Sequence, residues 1–272
     1  MIKAAVLGSP IEHSLSPLLH ICAYRELGVL GDYSKIEVRA GELATFLASL
    51  DQSWNGFSLT MPLKEEIVNC VENVSTLSKK IRSANTLFRR DGEWQATTTD
   101  VAGFTYALQS HGAEISGKVV IIGAGATARA AAASCDGIAS HITIMARSSR
   151  GADEIFKCVD SSEMEFVSWG DQESIHDAQL IISTTPEAAT DSLIEIFPER
   201  PRSIFFDVLY KPWPTQALVR WRENSGYVID GLDLLIHQAI SQVEIFTEKQ
   251  INRPEMAQLM RASALAELNS ST

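Results

Sequence analysis

Two groups of residues carry chemistry by their type and spacing. The first is Gly123-Ala124-Gly125-Ala126-Thr127-Ala128, which follows the apolar run Lys118-Val119-Val120-Ile121-Ile122 and opens an alanine-rich stretch. Small residues at a strand–helix turn permit a tight bend and let main-chain amides approach a pyrophosphate at the helix N-terminus. The spacing fits the dinucleotide fingerprint G-x-G-x-x-G/A. A plain small-residue turn is the alternative, and the position inside a βαβ pattern favours cofactor binding. About 20 residues on, an NAD site usually places an acid for the ribose hydroxyls. Here the chain reads Ala146-Arg147-Ser148-Ser149-Arg150, with no acid. Arg147 suits a 2′-phosphate and Ser148 adds a hydroxyl donor. Exposed loop charges are the other reading of Arg147 and Arg150; the missing acid tips the balance to NADP.

The second group is scattered over the first hundred residues. Ser14 and Ser16 precede a helix opened by Pro17, where hydroxyls and the helix dipole both favour an anion such as a carboxylate. An ordinary helix cap explains them equally well. Thr60 closes a strand and Lys64 opens a helix, in Ser58-Leu59-Thr60-Met61-Pro62-Leu63-Lys64. A lysine in a first helical turn opposes the dipole, which points to a chemical role, against the alternative of an exposed lysine beside Glu65 and Glu66. Asn85 lies in Ser83-Ala84-Asn85-Thr86, and Asp100 ends Thr97-Thr98-Thr99-Asp100, either as a cap or as a working carboxylate.

Short β-branched runs alternate with helical patterns, the mark of an α/β chain with parallel strands. Strands are expected at Ala4–Leu7, Tyr33–Val38 and Gly56–Thr60, and helices from Pro17 to near Gly28, over Glu42–Leu50 and over Leu63–Val71. Asp91-Gly92 between Thr86–Arg89 and Trp94–Thr97 predicts a hairpin. After Asp100 the pattern restarts with a helix at Gly103–His111, then strands at 118–122, His141–Met145, Glu165–Val167, Leu180–Ser183 and Ser203–Asp207. Leu232, Ile236, Ala239, Val243 and Phe246 form one apolar stripe of a long helix, with Gln238 on its flank. Only Asn269–Thr272 read as disordered.

Composition bounds the rest. The 272 residues suit two domains, and 45% hydrophobic with 21% charged residues is ordinary for a globular protein. A net charge of −11 with no basic run argues against nucleic acid and against an acidic membrane surface. No stretch approaches the roughly 18 apolar residues of a membrane span. Cys22, Cys70, Cys135 and Cys158 lack disulfide or zinc spacing and read as small buried residues of a reduced, cytoplasmic protein. The histidines His13, His20, His111, His141, His176 and His237 are scattered, so no metal is expected.

Taken together, Ser-Leu-Ser-Pro, Thr-Met-Pro-Leu-Lys, Ala-Asn-Thr, Thr-Asp, Gly-Ala-Gly and Ala-Arg-Ser resemble the shikimate dehydrogenases in order and spacing. The likeness continues through Asp207-Val208-Leu209-Tyr210, with Pro212 and Thr215, to Gly231-Leu232-Asp233-Leu234-Leu235-Ile236-His237-Gln238-Ala239. The resemblance implies an NADP-dependent oxidoreductase of the shikimate pathway to chorismate and aromatic amino acids, reducing 3-dehydroshikimate to shikimate. It implies Lys64 and Asp100 as the catalytic pair, with Ser14, Ser16, Thr60, Asn85, Tyr210 and Gln238 binding substrate. The cofactor would rest on Gly123, Ala124, Gly125, Ala126, Thr127, Arg147, Ser148, Thr184, Leu209 and Gly231.

The implied architecture is two α/β domains. Residues 1–101 with 232–272 form a discontinuous substrate domain, and 102–231 a Rossmann-like, doubly wound NADP domain. A small-molecule partner is expected, with the chain a monomer or homodimer. The sequence departs from the family pattern at Ser58, where asparagine is usual, and at Thr98, Val101, Ala126, Ala146 and Ser183-Thr184-Thr185-Pro186. Three other readings compete: a quinate or aminoshikimate dehydrogenase, a Schiff-base lyase using Lys64, and a non-catalytic NADP-sensing module.

Overall fold

The computed structural model describes residues 1–270, which divide into two compact units. Met1–Gly103 and the chain from Leu235 onward form the first; Phe104–Leu234 form the second.

The first unit contains β1 (Ile2–Gly8), α1 (Ser16–Glu26), β2 (Gly31–Glu37), α2 (Leu43–Ala48), β3 (Gly56–Leu59) and α3 (Leu63–Glu66). It continues with β4 (Asn73–Val74), α4 (Thr76–Ile81), β5 (Thr86–Arg90) and β6 (Glu93–Thr97). The sheet order is β2-β1-β3-β5-β6-β4. β1 pairs parallel with both β2 and β3, while β5 runs antiparallel to β3 and to β6. Five consecutive residues of β1 are buried, as a central strand covered on both faces requires. Asp91 (φ 53°) and Gly92 (φ 84°) form the two-residue turn between β5 and β6. Leu7, Phe57, Leu59, Leu63, Ile67 and Leu87 belong to the core on one side of this sheet.

This topology gathers the first unit's polar residues. β1 and β3 end at one edge of the sheet, β5 begins there, and β6 ends there. Ser14 and Ser16, Thr60 and Lys64, Asn85, and Asp100 therefore all sit at the carboxyl edge of the parallel strands, where open α/β sheets bind ligands.

Between the units, α5 (Asp100–Ser110) begins in the first and continues into the second. The second unit then holds β7 (Lys118–Ile122), α6 (Ala126–Cys135), β8 (His141–Ala146), α7 (Ala152–Phe156), β9 (Glu163–Ser168) and α8 (Gln172–Asp177). It ends with β10 (Leu180–Ser183), β11 (Ile204–Asp207), α9 (Gln216–Glu223) and β12 (Tyr227–Ile229). All six strands are parallel in the order β12-β11-β10-β7-β8-β9. Numbered within the unit this is the 3-2-1-4-5-6 arrangement of a doubly wound dinucleotide domain. Phe205 stacks on Trp221 at 5.0 Å in a core with Ile122, Ile181 and Phe197. The last helices are α10 (Gly231–Thr247) and α11 (Arg253–Ser270).

Several elements differ from the sequence-based expectation. The helix expected over Leu63–Val71 is one α-turn followed by a 3-10 turn at Ile67–Asn69. Ile67, Val68 and Asn69 are weak helix formers. The Glu66 carboxylate instead accepts from the amides of Gly41 (2.9 Å) and Leu43 (3.2 Å) at the start of α2. Asn269 and Ser270, expected to be disordered, end α11; the remainder of that stretch lies outside the described residues. Of the cysteines, Cys135 and Cys158 are buried but Cys22 and Cys70 are half-buried, and all four are free thiols. No helix among the described residues is long and apolar enough to cross a membrane.

Candidate active site

Lys64 lies in the single turn of α3, which the Thr60 carbonyl starts by accepting from the Leu63 amide at 2.8 Å. The Lys64 carbonyl accepts from the Ala84 amide at 2.8 Å, tying this turn to the segment that enters β5. Its side chain is not the exposed lysine that its acidic neighbours suggest. Nζ donates to Asp100 Oδ2 at 2.7 Å, with only 19% of the lysine side chain and 6% of the aspartate exposed.

Asp100 stands at the first position of α5 and turns its carboxylate toward β5 rather than capping its own helix. Asn85 Nδ2 donates to Asp100 Oδ1 at 2.8 Å and lies 3.1 Å from Gln238 Oε1. Asn85 Oδ1 accepts from the Thr99 amide at 2.7 Å and from Thr86 Oγ1 at 3.0 Å. Gln238, expected on a helix flank, is buried and fixes its own amide on the Leu235 carbonyl at 2.7 Å. Four of the residues singled out in the sequence, drawn from α3, the entry to β5, α5 and α10, thus form one bonded cluster.

Ser14, Ser16 and Thr60 share the sheet edge but lie outside that cluster. Ser14 Oγ accepts from the Ser16 amide at 3.2 Å at the start of α1. Thr60 packs its methyl where a Cβ on Gly8 would stand, 2.4 Å away, so the β1 and β3 exits touch only because residue 8 is glycine. Beneath them His20 donates from Nδ1 to the Ser16 carbonyl (2.8 Å) and stacks on Tyr33 at 3.9 Å. Burial takes the imidazole down to about 4, so it is neutral at physiological pH.

In the second unit the dinucleotide turn is built from backbone. Gly123 has φ 116°, and a Cβ there would lie 2.5 Å from Thr184 Oγ1. Thr184 in turn donates to the Ile122 carbonyl at 2.9 Å. Gly125 caps the ten-residue α6 without a side-chain bond and has open space where a Cβ would point. First-turn amides of α6 therefore face a space that a phosphate can approach closely. Gly151 (φ 101°) brings the loop after β8 back against Ala124, with 3.2 Å between a built Cβ and the Ala124 carbonyl oxygen. That loop exposes Arg147 and Ser148 beside the turn. Ala126 and Thr127 form the first turn of α6. Gly231 abuts the main chain of Leu209, whose carbonyl carbon and oxygen leave only 2.4 Å for a Cβ. These residues fit an adenine dinucleotide carrying a 2′-phosphate.

Tyr210 follows an anchored strand end. Asp207 accepts from Thr215 Oγ1 (2.7 Å) and the Leu209 amide (3.2 Å), and burial raises its carboxyl above the usual range. Burial raises the Tyr210 hydroxyl as well. Among the described residues, no group of three or more His, Cys, Asp or Glu could hold a metal ion.

Residues 6–87 match the family described as the shikimate dehydrogenase substrate binding domain. A shikimate dehydrogenase (NADP(+)) of Crocosphaera subtropica is 30% identical over 95% of each chain. The crystal structure of Mycobacterium tuberculosis shikimate dehydrogenase superposes with a TM-score of 0.86 at 32% identity, covering 96% of this chain and 99% of that one. The chain belongs to the shikimate dehydrogenase family. A further family structure, from Thermus thermophilus in complex with NADP(H) and shikimate, is 26% identical with a TM-score of 0.85. The match covers 97% of this chain and 100% of the Thermus chain.

Within this shikimate dehydrogenase scaffold, sequence reasoning overlooked Gln242. It is 1% exposed on α10, four residues after Gln238, and donates to the Asn85 carbonyl at 3.0 Å. A glutamine in an amphipathic helix reads as surface; only its i, i+4 relation to Gln238 hinted otherwise.

Proposed function

We propose that this protein reversibly reduces 3-dehydroshikimate to shikimate with NADPH, as its relatives' names and the Thermus complex suggest. The observation that carries the chemistry is the Lys64–Asp100 pair at 2.7 Å, set on a sheet edge beside Asn85 and Gln238. Bound NADPH supplies the hydride. The chain's own task is to bind the ring, orient it, and place a proton on the oxygen that becomes a hydroxyl.

Lys64 is suited to that proton. Its ammonium has three N–H groups, one of which goes to Asp100, so two remain for a substrate oxygen. In the reductive direction Nζ stabilises the developing alkoxide and protonates it; in the oxidative direction Nζ takes the proton back. Asp100 holds Nζ through Oδ2 and retains lone pairs on both oxygens to accept from a ring hydroxyl. Asn85 keeps Asp100 from rotating. Gln238 and Thr60 would read ring hydroxyls, Ser14 and Ser16 would donate to the carboxylate, and Tyr210 would contact that end of the ligand. Gly123, Ala124, Gly125, Ala126 and Thr127 would hold the pyrophosphate, and Arg147 with Ser148 the 2′-phosphate. Thr184, Leu209 and Gly231 would line the rest of the cofactor.

The test follows reduced-cofactor absorbance with shikimate or quinate against NADP⁺ or NAD⁺. Turnover is expected to be fastest with shikimate and NADP⁺. Turnover only with quinate, or only with NAD⁺, would overturn the assigned substrate or cofactor.

A further inference from the structure

Below the Lys64–Asp100 pair runs a chain of buried polar groups that the proposed reaction does not use directly. Ser58 on β3 stands opposite Thr86 on β5 in the antiparallel register. Gln242 from α10 bridges this pair: Oε1 accepts from Ser58 Oγ at 2.7 Å, and Nε2 donates to Thr86 Oγ1 at 3.1 Å and to the Asn85 carbonyl at 3.0 Å. The Asn85 carbonyl also accepts from the Leu59 amide at 2.8 Å, so both its lone pairs are engaged. Ser58 Oγ is bonded on its other side to the Tyr33 hydroxyl. Tyr33, Ser58, Thr86, Asn85 and Gln242 are each less than a tenth exposed.

The protons in this chain have one consistent direction. Ser58 has a single hydroxyl proton, and donating it to Gln242 leaves Tyr33 as donor to Ser58; burial keeps that phenol protonated. Because the Asn85 carbonyl can only accept, the Gln242 amide turns its NH₂ toward Asn85 and Thr86 and its Oε1 toward Ser58, which donates to it. The opposite flip would set Gln242 Oε1 against the Asn85 carbonyl, acceptor facing acceptor. Thr86 Oγ1 accepts from Gln242 and gives its one proton to Asn85 Oδ1 at 3.0 Å, which the Thr99 amide also holds as an acceptor at 2.7 Å. That turns the Asn85 NH₂ toward Asp100 and Gln238, with Thr99 Oγ1 also 2.9 Å away. A flipped Asn85 would present an oxygen to a carboxylate and release Asp100 from one side.

We propose that Ser58 and Gln242 are positioning residues, which brace the Asn85 carboxamide from below in the orientation that the Thr99 amide and Asp100 require, and through it hold the placement of Asp100, Lys64 and the substrate. The inference rests on the reaction proposed above. Ser58 occupies a position where the family pattern has asparagine, so in this chain a hydroxyl, with Tyr33 behind it, supplies the proton that holds the glutamine oxygen.

The test is a matched pair at one site. Ser58→Thr keeps the hydroxyl and Ser58→Val replaces it with a methyl of the same shape, so both carry the same added bulk. Losing one buried hydrogen-bond donor while its partner stays buried is expected to lower kcat/KM for shikimate about tenfold in the valine relative to the threonine variant. Much of that loss is expected as a raised KM for shikimate, with KM for NADP⁺ within about twofold. A general loosening of the fold would lower the active fraction and leave both KM values alone. Gln242→Met, which keeps the length and lacks the amide, is expected to match the valine variant. The pair is also read without substrate, by hydrogen exchange of the Asn85 side-chain amide in a ¹⁵N–¹H spectrum: protected in the threonine variant, fast in the valine variant. Equal kinetics and equal exchange across the pair would overturn the positioning role. A wild-type enzyme that shows the protected amide yet turns over no shikimate would instead sink the proposed reaction and leave the positioning of Asn85 standing.

Discussion

The acid–base cluster of the first unit and the dinucleotide turn of the second are built from opposite materials. The cluster is made of side chains from α3, the entry to β5, α5 and α10, held by hydrogen bonds between 2.7 and 3.1 Å. The turn is made of main chain, and what matters at Gly123 and Gly125 is the absence of atoms. The cluster is therefore broken by removing a group, the turn by adding one carbon. The difference follows from the tasks: proton transfer needs a titratable group at a defined point, whereas a pyrophosphate needs amides and room.

The largest effect is expected from Lys64→Ala. Loss of a positioned acid–base group lowers kcat by about 10²–10⁴-fold. NADP⁺ affinity by calorimetry is expected to stay within about twofold, because the turn is untouched. A variant that keeps more than a tenth of wild-type kcat would break the comparison at its chemical end.

A pH effect is expected at His20, beneath the Ser14–Ser16 end of the same sheet edge. Its folded value near 4 lies below the ordinary imidazole value of 6.5, so the unfolded chain binds the extra proton first. Stability from this residue is thus full above pH 6.5 and is lost as pH falls toward 4, by about 3 kcal/mol. Unfolding free energy measured over that window should fall less steeply in His20→Phe, which keeps the ring stacked on Tyr33. Parallel slopes would show that the imidazole is not held neutral.

The turn is sharpened by a pair of substitutions of smaller effect. Gly123→Ala meets both a positive φ and Thr184, and is expected to cost about 1–3 kcal/mol in folding stability as well as cofactor affinity. Gly125→Ala meets nothing within 4 Å and has φ −94°, so thermal stability should be unchanged while NADP⁺ binding weakens about tenfold. Equal cofactor affinity in Gly125→Ala and wild type would remove the idea that room at this residue serves the ligand.

The same contrast explains what could be read from the sequence. The turn is contiguous, and its spacing, the preceding strand and the acid-free Arg147 segment announce it directly; the observed 3-2-1-4-5-6 order then follows the expected α/β pattern. The cluster is scattered along the chain from Lys64 to Gln238, and each member alone has a plain explanation as a cap or surface charge. Only the ordered resemblance to a family united them. Gln242, Thr86 and Thr99 stayed hidden because hydrogen-bonded burial of a polar side chain leaves no mark in a hydrophobicity pattern. The broken helix after Lys64 was missed for a related reason, since Glu66 serves a distant helix start and not its own turn.

The β5–β6 hairpin carries a practical consequence. Its near end holds Asn85 and Asp100 in register through Thr86 opposite Thr97, while its far end, Asp91-Gly92, is exposed. Strand pairing repeats every two residues, so one residue inserted between Trp94 and Thr97 would turn the later side chains to the wrong face. A peptide tag or fluorophore grafted at Asp91-Gly92 would instead lengthen the loop away from the reacting groups. The tip of this ribbon is the natural handle for immobilising or labelling the enzyme while its working edge stays free.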